Sequence, residues 1–301
     1  MKAAVFSATG DQGLAQVRAL IEAGHRPVAI SRRPKAADLP DGVVRVAADY
    51  ADHDSLRAAI DGADAVLLNL PSTSFQAAAP LIEAADVLAK AAAASDTAKV
   101  LVFNTSMPVP DHEMGIAAQD ARLEMRKRLF ASGAPAIVLQ PVVYLDNLLK
   151  AWALPWIKRD NLIYYPHRET LDVCWICQDD LAKLMVAAAE RPALAGSVFA
   201  VGGPEAIRGP ELARRLGRVW GRPLAFKSMP LETCGETMAS VFKSSATLDL
   251  QVLAREMALK YAWYNDERDR PFTVDMRPVL DALPVALTPL EDWAARHPLP
   301  A

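Results

Sequence analysis

Through the first two hundred residues, short apolar runs alternate with longer stretches whose apolar residues recur every three or four positions. The runs are Ala3–Phe6, Pro27–Ile30, Val43–Val46, Ala65–Leu68, Val100–Phe103, Ala136–Leu139 and Ser197–Val201. Few polar residues interrupt them, as expected for strands covered on both faces. Helical spacing fills the intervals near residues 12–24, 53–61, 75–94, 115–132 and 178–190. Strand and helix in alternation predict an α/β fold, a doubly wound parallel sheet whose ligands bind at the carboxyl ends of the strands. After about residue 203 the rhythm changes to helical patterns near 209–220, 231–242 and 249–264, punctuated by Pro210, Pro223, Pro230, Pro271, Pro278, Pro284 and Pro289. The pattern divides the chain into a nucleotide-binding domain over 1–203 and a smaller, mainly helical subdomain over 204–301 that caps the substrate. Residues 148–172, with Trp152, Trp156, Tyr164 and Tyr165, either join that cap or line the cleft.

Between the first run and the first helical stretch lies Ser7-Ala8-Thr9-Gly10-Asp11-Gln12-Gly13. Gly10 and Gly13 remove side chains where backbone must approach a ligand. The amides that open the following helix present the positive end of its dipole. Strand, glycine turn and helix together form a site for a nucleotide pyrophosphate. Strand two ends at Ile30 and is followed by Ser31-Arg32-Arg33. A carboxylate here, roughly 20 residues beyond the glycine turn, would accept the ribose 2′-hydroxyl of NAD. The chain has none. Arg32 instead offers a planar cation suited to a phosphate, which favours NADP(H); the alternative is a solvated charge at a strand end. Asp49, after strand three, is placed to accept from the adenine amino group or to serve the turn. Asn69-Leu70-Pro71 ends strand four and Asn104-Thr105-Ser106 ends strand five, and both should border the same cleft. The hydroxyls of Thr105 and Ser106 are candidates for ribose, nicotinamide or substrate, with turn chemistry as the competing role.

Composition narrows the possible partners. The formal net charge is −3, without a basic stripe, so nucleic acid is not the expected partner. No uncharged apolar stretch reaches membrane-spanning length, and a strand expected from the first residues leaves no room for a signal or transit peptide. Three cysteines make no disulfide framework, and a reducing cytoplasm is the expected location. Cys174 and Cys177 spell C-x-x-C, but on an expected strand they face opposite ways, and no second ligand pair completes a metal site. A small-molecule substrate is therefore the expected partner, with a homodimer or a regulatory protein partner left open.

Several of these segments resemble the NmrA-like family, an atypical branch of the short-chain dehydrogenase/reductase superfamily. Ala8-Thr9-Gly10-Asp11-Gln12-Gly13 is similar to its A-T-G-x-Q-G turn, and Ser31-Arg32-Arg33-Pro34 to its T-R-N-P segment. Asp49 to Leu56, with Gly62 to Val66, resembles its D-x-x-D-x-x-S-L and G-x-D-x-V run. Gln140-Pro141 to Asn147 resembles the family's R-P-x-x-F-x-x-N ending of strand six, and Thr288 to Trp293 its C-terminal docking segment. The resemblance covers most of the chain and is weakest from 205 to 285. It implies a Rossmann domain, NADP(H) and a substrate cleft under the C-terminal subdomain. By residue, it implies pyrophosphate contacts at Thr9, Gly10, Asp11, Gln12 and Gly13, the 2′-phosphate at Arg32, and adenine beside Asp49 and Tyr50. Two departures stand out. Ser7 occupies the family's first glycine position, tolerable with a negative φ. Gln140 replaces an arginine near the cleft.

The superfamily's Tyr-x-x-x-Lys pair is missing. Residues four beyond Tyr50, Tyr144, Tyr164, Tyr165, Tyr261 and Tyr264 are Asp54, Leu148, Arg168, Glu169, Asn265 and Arg268. Related reductases use a lysine on the helix after strand five, but that helix carries Asp120 about one turn before Glu124. Hydride transfer to a quinone proceeds without such a base. The remaining proton-donor candidates are Tyr144, against an aromatic-wall role, and His112, against a surface-loop role. Asn147 is either a helix cap or a polar anchor in the substrate pocket. Two readings follow: an NADPH-dependent oxidoreductase acting on a small carbonyl, quinone or enone, or a non-catalytic NADP(H) sensor that binds a partner. Sugar-nucleotide epimerisation would need the missing tyrosine base.

Overall fold

Ala3 and Val5 point to one side of the first strand and Ala4 and Phe6 to the other, and all four are buried. A strand apolar on both faces must lie inside a covered sheet. The computed structural model, which describes residues 1–34, 39–244, 247–266 and 268–299, shows that sheet. Its strands are β1 (Lys2–Phe6), β2 (Arg26–Ser31), β3 (Val44–Ala47), β4 (Ala65–Asn69), β5 (Val100–Asn104), β6 (Ala136–Pro141) and β8 (Val198–Val201). They pair in the order β3-β2-β1-β4-β5-β6-β8, every pair parallel. All seven apolar runs are therefore strands, displaced by no more than a residue or two at their ends. β3 departs from the doubly covered expectation, because it lies at the sheet edge and leaves Val44 58% exposed.

Helices α1 (Asp11–Glu22) and α6 (Gln178–Ala189) cover one face of the sheet, burying Val17, Leu20, Leu181 and Leu184 in one core. Helices α2 (His53–Ala59), α3 (Ala79–Ala93) and α4 (Ala117–Ala131) cover the other, burying Leu56, Leu88 and Leu129 in a second. Asp52 caps α2, its carboxylate accepting from the Asp54 and Ser55 amides. The third helical pattern begins later than its periodicity suggests. Pro80 sits in the first turn of α3, and Phe75 lies in the loop ahead of it, stacked on Phe242 with ring centroids 4.1 Å apart.

The C-terminal part is helical but not wholly so. After α5 (Leu154–Asp160), which ends at Asn161 in a left-handed conformation (φ 54°), comes β7 (Leu162–Tyr165). It pairs in parallel with β9 (Ala225–Ser228), which follows α7 (Gly209–Val219). The segment 148–172 is thus joined by a small sheet to residues beyond 204. Helices α8 (Leu231–Phe242) and α9 (Leu250–Tyr264) pack as a hairpin. Gly235 permits their close approach, since a Cβ there would lie 2.3 Å from the Ala254 carbonyl oxygen. Helices α10 (Arg277–Ala282) and α11 (Leu290–Arg296) return the chain to the nucleotide domain. The Thr288 amide and hydroxyl donate to the buried Asp180 carboxylate at 2.6 and 2.8 Å, and Trp293 is fully buried. Among the described residues no helix is long and apolar enough to cross a membrane.

His167 lies between the rings of Tyr165, Trp175 and Phe272, and neither of its nitrogens has a hydrogen-bond partner among the described residues. Burial holds its pKa down at about 3. The unfolded chain takes up this proton below about pH 6.5, so acid favours unfolding through this residue by about 1.4 kcal/mol per pH unit until the folded value is reached. His167→Phe should flatten the fall in urea-unfolding free energy between about pH 6 and about pH 5 by that amount. An unchanged slope would contradict a neutral buried imidazole.

Candidate functional site

The glycine turn is set by one contact. A Cβ on Gly13 would lie 2.3 Å from the Ser7 carbonyl oxygen and 2.7 Å from Ala8 Cα, so only glycine lets α1 begin against the end of β1. Gly10 precedes α1 and donates its amide to the Ser7 carbonyl at 2.9 Å. Ser7 adopts φ +53°, so the negative φ expected for a serine here is wrong. Its hydroxyl lies 2.8 Å from the Tyr50 hydroxyl and donates to the Asn69 carbonyl at 3.2 Å, anchoring the left-handed residue locally. Tyr50 also donates to that carbonyl, and burial raises its phenol to about 12.

A cavity of about 560 Å³ opens over this turn. Thr9, Gly10, Asp11, Gln12 and Gly13 line its floor, Ser31, Arg32 and Tyr50 one end, and Leu70, Pro71 and Ser106 the other. Arg32 is exposed. Three expected ligand contacts do not line it. Asp49 turns its carboxylate to the Ala51 amide at 3.0 Å, the turn role. Thr105 is fully buried and donates to the Met107 carbonyl at 2.6 Å. Asn104, also fully buried, sits behind the floor.

From there Asn104 helps build a polar network across the strand ends. Its amide donates to Gln12 Oε1 and to Asn69 Oδ1. Asn69 and Gln16 exchange side-chain amide hydrogen bonds at 2.7 and 2.8 Å. Gln12 Oε1 also accepts from the Ser106 hydroxyl and the Tyr144 hydroxyl, both at 3.1 Å. Behind the Leu70–Pro71 wall, fully buried Arg122 donates to both carbonyls, at 3.2 and 2.8 Å, and burial lowers its pKa to about 10.

A second cavity of about 430 Å³ adjoins the first, and Asp11, Gln12, Ser72, Ser106 and Gln178 line both. Tyr144 and Asn147 line the second, Asn147 within a short helical turn (Leu145–Leu149) and donating to the Tyr165 hydroxyl at 3.4 Å. Burial pushes the Tyr144 phenol far above its usual value, so it stays protonated as a donor to Gln12. His112 is exposed and lines neither cavity, which leaves it in its surface-loop role. The remaining wall comes from the C-terminal hairpin, including Met238 and Phe242 of α8 and Met257, Lys260, Tyr261 and Tyr264 of α9. The sequence reading missed Lys260, although it falls in the apolar stripe of α9 at helical spacing from Met257 and Tyr264. It also missed Lys150, which pairs with Asp11 at the boundary between the cavities.

Cys174 and Cys177 lie not on a strand but on a segment with isolated bridges, Cys177 directly preceding α6. Both are free and buried, and burial raises the Cys177 thiol to about 12. No group of three or more metal-ligating side chains gathers among the described residues.

The sequence profile of the NmrA-like family matches residues 1–291. A (4-alkanoyl-5-oxo-2,5-dihydrofuran-3-yl)methyl phosphate reductase of Streptomyces griseus is 33% identical over 234 residues, 76% of this chain and 77% of that protein. An NAD(P)H azoreductase of Xenophilus azovorans is 30% identical over 242 residues, 79% of this chain and 80% of that protein. In fold, the chain is similar to the NADPH-dependent quinone oxidoreductase of Escherichia coli, with a TM-score of 0.72 at 20% identity, covering 98% of this chain and 99% of that one.

Gly13→Ala should cost about 2 kcal/mol of stability in chemical unfolding, because backbone has to move, and should also abolish dinucleotide binding. Gly10→Ala, whose nearest protein contact is an ordinary 3.4 Å, should leave stability nearly intact. If the two variants behave alike, the close approach at Gly13 does not set the turn.

Proposed function

The chain belongs to the NmrA-like family, and on that premise we propose that it is an NADPH-dependent oxidoreductase acting on a small carbonyl, quinone or enone. The observation that carries this reading is the shared wall of the two cavities. A cavity of about 560 Å³ over a helix N-terminus meets a second, mostly apolar one at Gln12 and Ser106, where a cofactor's reactive ring and an acceptor would face each other. The reductase names of the two relatives support the same assignment.

The cofactor is NADP(H). The cradle fits it: Gly13 leaves no Cβ to obstruct a pyrophosphate, and the exposed Arg32 offers its guanidinium to a 2′-phosphate. When bound, the dinucleotide supplies the hydride. The protein's part is to hold both partners and keep water out. Asp11, Gln12 and the first-turn amides of α1 orient the pyrophosphate side, and Arg122 fixes the Leu70–Pro71 wall. Tyr144 presents its ring to the acceptor cavity while its hydroxyl steadies Gln12. Residues 148–172 and those from 204 onward act together as the cap, a grouping supported by the pairing of β7 with β9. A reducing cytoplasm suits three buried free cysteines.

Arg32→Ala should weaken NADPH binding by about 2 kcal/mol, roughly thirtyfold, while NADH binding changes little. Calorimetry with both dinucleotides measures this, and an equal loss for both would remove Arg32 from the 2′-phosphate site. NADPH oxidation followed over a panel of quinones, aldehydes and enones should show turnover of at least one class. Tight NADPH binding with no acceptor reduced would make the chain a non-catalytic sensor instead.

A further inference from the structure

The acceptor cavity carries an unmatched charge. Met257, Lys260, Tyr261 and Tyr264 occupy positions i, i+3, i+4 and i+7, so α9 directs all four to one side. Lys260 is only 8% exposed. Its ammonium donates to the Ser74 hydroxyl at 3.0 Å and lies 5.8 Å from the centre of the Tyr261 ring. It forms no ion pair among the described residues. The cavity's described lining holds one carboxylate, Asp11, and that is already paired with Lys150. One positive charge is left in surplus within walls that are otherwise largely apolar or aromatic.

Burying an ammonium without a counter-charge costs free energy that a protein usually avoids by pairing it. An ammonium has three N–H donors, and a single hydroxyl satisfies one. Lys260 lines a cavity large enough for a ligand of one or two rings, and Ser74 leaves two of its N–H groups unsatisfied. We infer that Lys260 is the anion-recognition residue of this cavity, and that the substrate is an aromatic or enone acceptor bearing a singly charged acidic oxygen group. The inference rests on the oxidoreductase reading for the word substrate, but not for the binding site. Ser74, from the loop after β4, holds the ammonium in place, while Phe75, Phe242, Tyr261 and Tyr264 take the acceptor's apolar body.

The test uses the full-length protein saturated with NADP+ and a pair of probes that differ in charge and by one methyl group, naphthoate and its methyl ester. Calorimetry should show naphthoate binding roughly tenfold more tightly than the ester. Lys260→Met and Lys260→Gln should both erase that preference by weakening naphthoate alone, and Lys260→Arg should keep part of it. Thermal unfolding reports that each variant is folded, with the Met variant at least as stable as the parent once the unpaired charge is gone. In turnover, a sulfonated naphthoquinone should outperform the parent quinone in kcat/KM, and Lys260→Met should remove that advantage. Equal binding of the two probes, or a preference that survives in Lys260→Met, overturns the inference. So does an equal loss of turnover on both quinones with naphthoate binding unchanged. If neither quinone is reduced but the naphthoate preference is present and lost in Lys260→Met, the oxidoreductase reading fails and the anion site stands.

Discussion

Gln12 Oε1 accepts from three donors, the Asn104 amide, the Ser106 hydroxyl and the Tyr144 hydroxyl, and this single oxygen holds the site together. The donors come from the ends of β5 and β6, while Gln12 itself sits in the first turn of α1, directly after the glycine turn that leaves β1. Asn69 extends the network to the end of β4 through Asn104 and Gln16. Asn69 and Asn104 are 3% and 0% exposed, so each polar atom they bring inside has to be paired or cost free energy. Satisfying them fixes the spacing of four strand ends at once. A network of this kind is strong when complete and fragile when one member is lost.

That arrangement separates two environments. On one side, backbone amides, hydroxyls and an exposed arginine make a polar trough suited to a dinucleotide. On the other, a helical hairpin contributes methionines and aromatic rings around one lysine. Hydride transfer, on the proposed reading, needs both: charge recognition to hold a cofactor in register, and a dry wall against which an acceptor can stack. The hairpin closes tightly because Gly235 has no side chain, and the chain is secured on the far side by the Asp180–Thr288 contact. The absence of a Tyr-x-x-x-Lys pair has a structural counterpart, since Tyr144 is committed to Gln12 and held strongly protonated by burial.

The parts legible in the residues were those governed by local rules. Apolar runs marked seven strands because a strand covered on both faces has no room for polar side chains. Gly10 and Gly13 marked the turn because backbone conformation and close approach are properties of one or two residues. Where one side chain has several partners within reach, the reading failed. Ser7 adopts a positive φ because Tyr50 and Asn69 anchor its hydroxyl. Asp49 and Thr105 sit beside the cleft in sequence, yet local turns take up their oxygens. His112 was proposed from its place in a loop, and the loop leaves it in solvent.

Read alone, the chain specified a doubly wound parallel sheet, a nucleotide-binding turn at its first crossover and a change of rhythm near residue 203, all signals repeated at short range. Three-dimensional packing added what short range does not contain. It joined Leu162–Tyr165 to Ala225–Ser228 across some sixty positions, brought Lys260 to Ser74 across 186, and made one glutamine oxygen the meeting point of three elements. Periodicity shows which way a residue faces but not what it meets. Partners far apart in the chain are chosen by which arrangement buries the most apolar surface while leaving the fewest polar atoms unpaired.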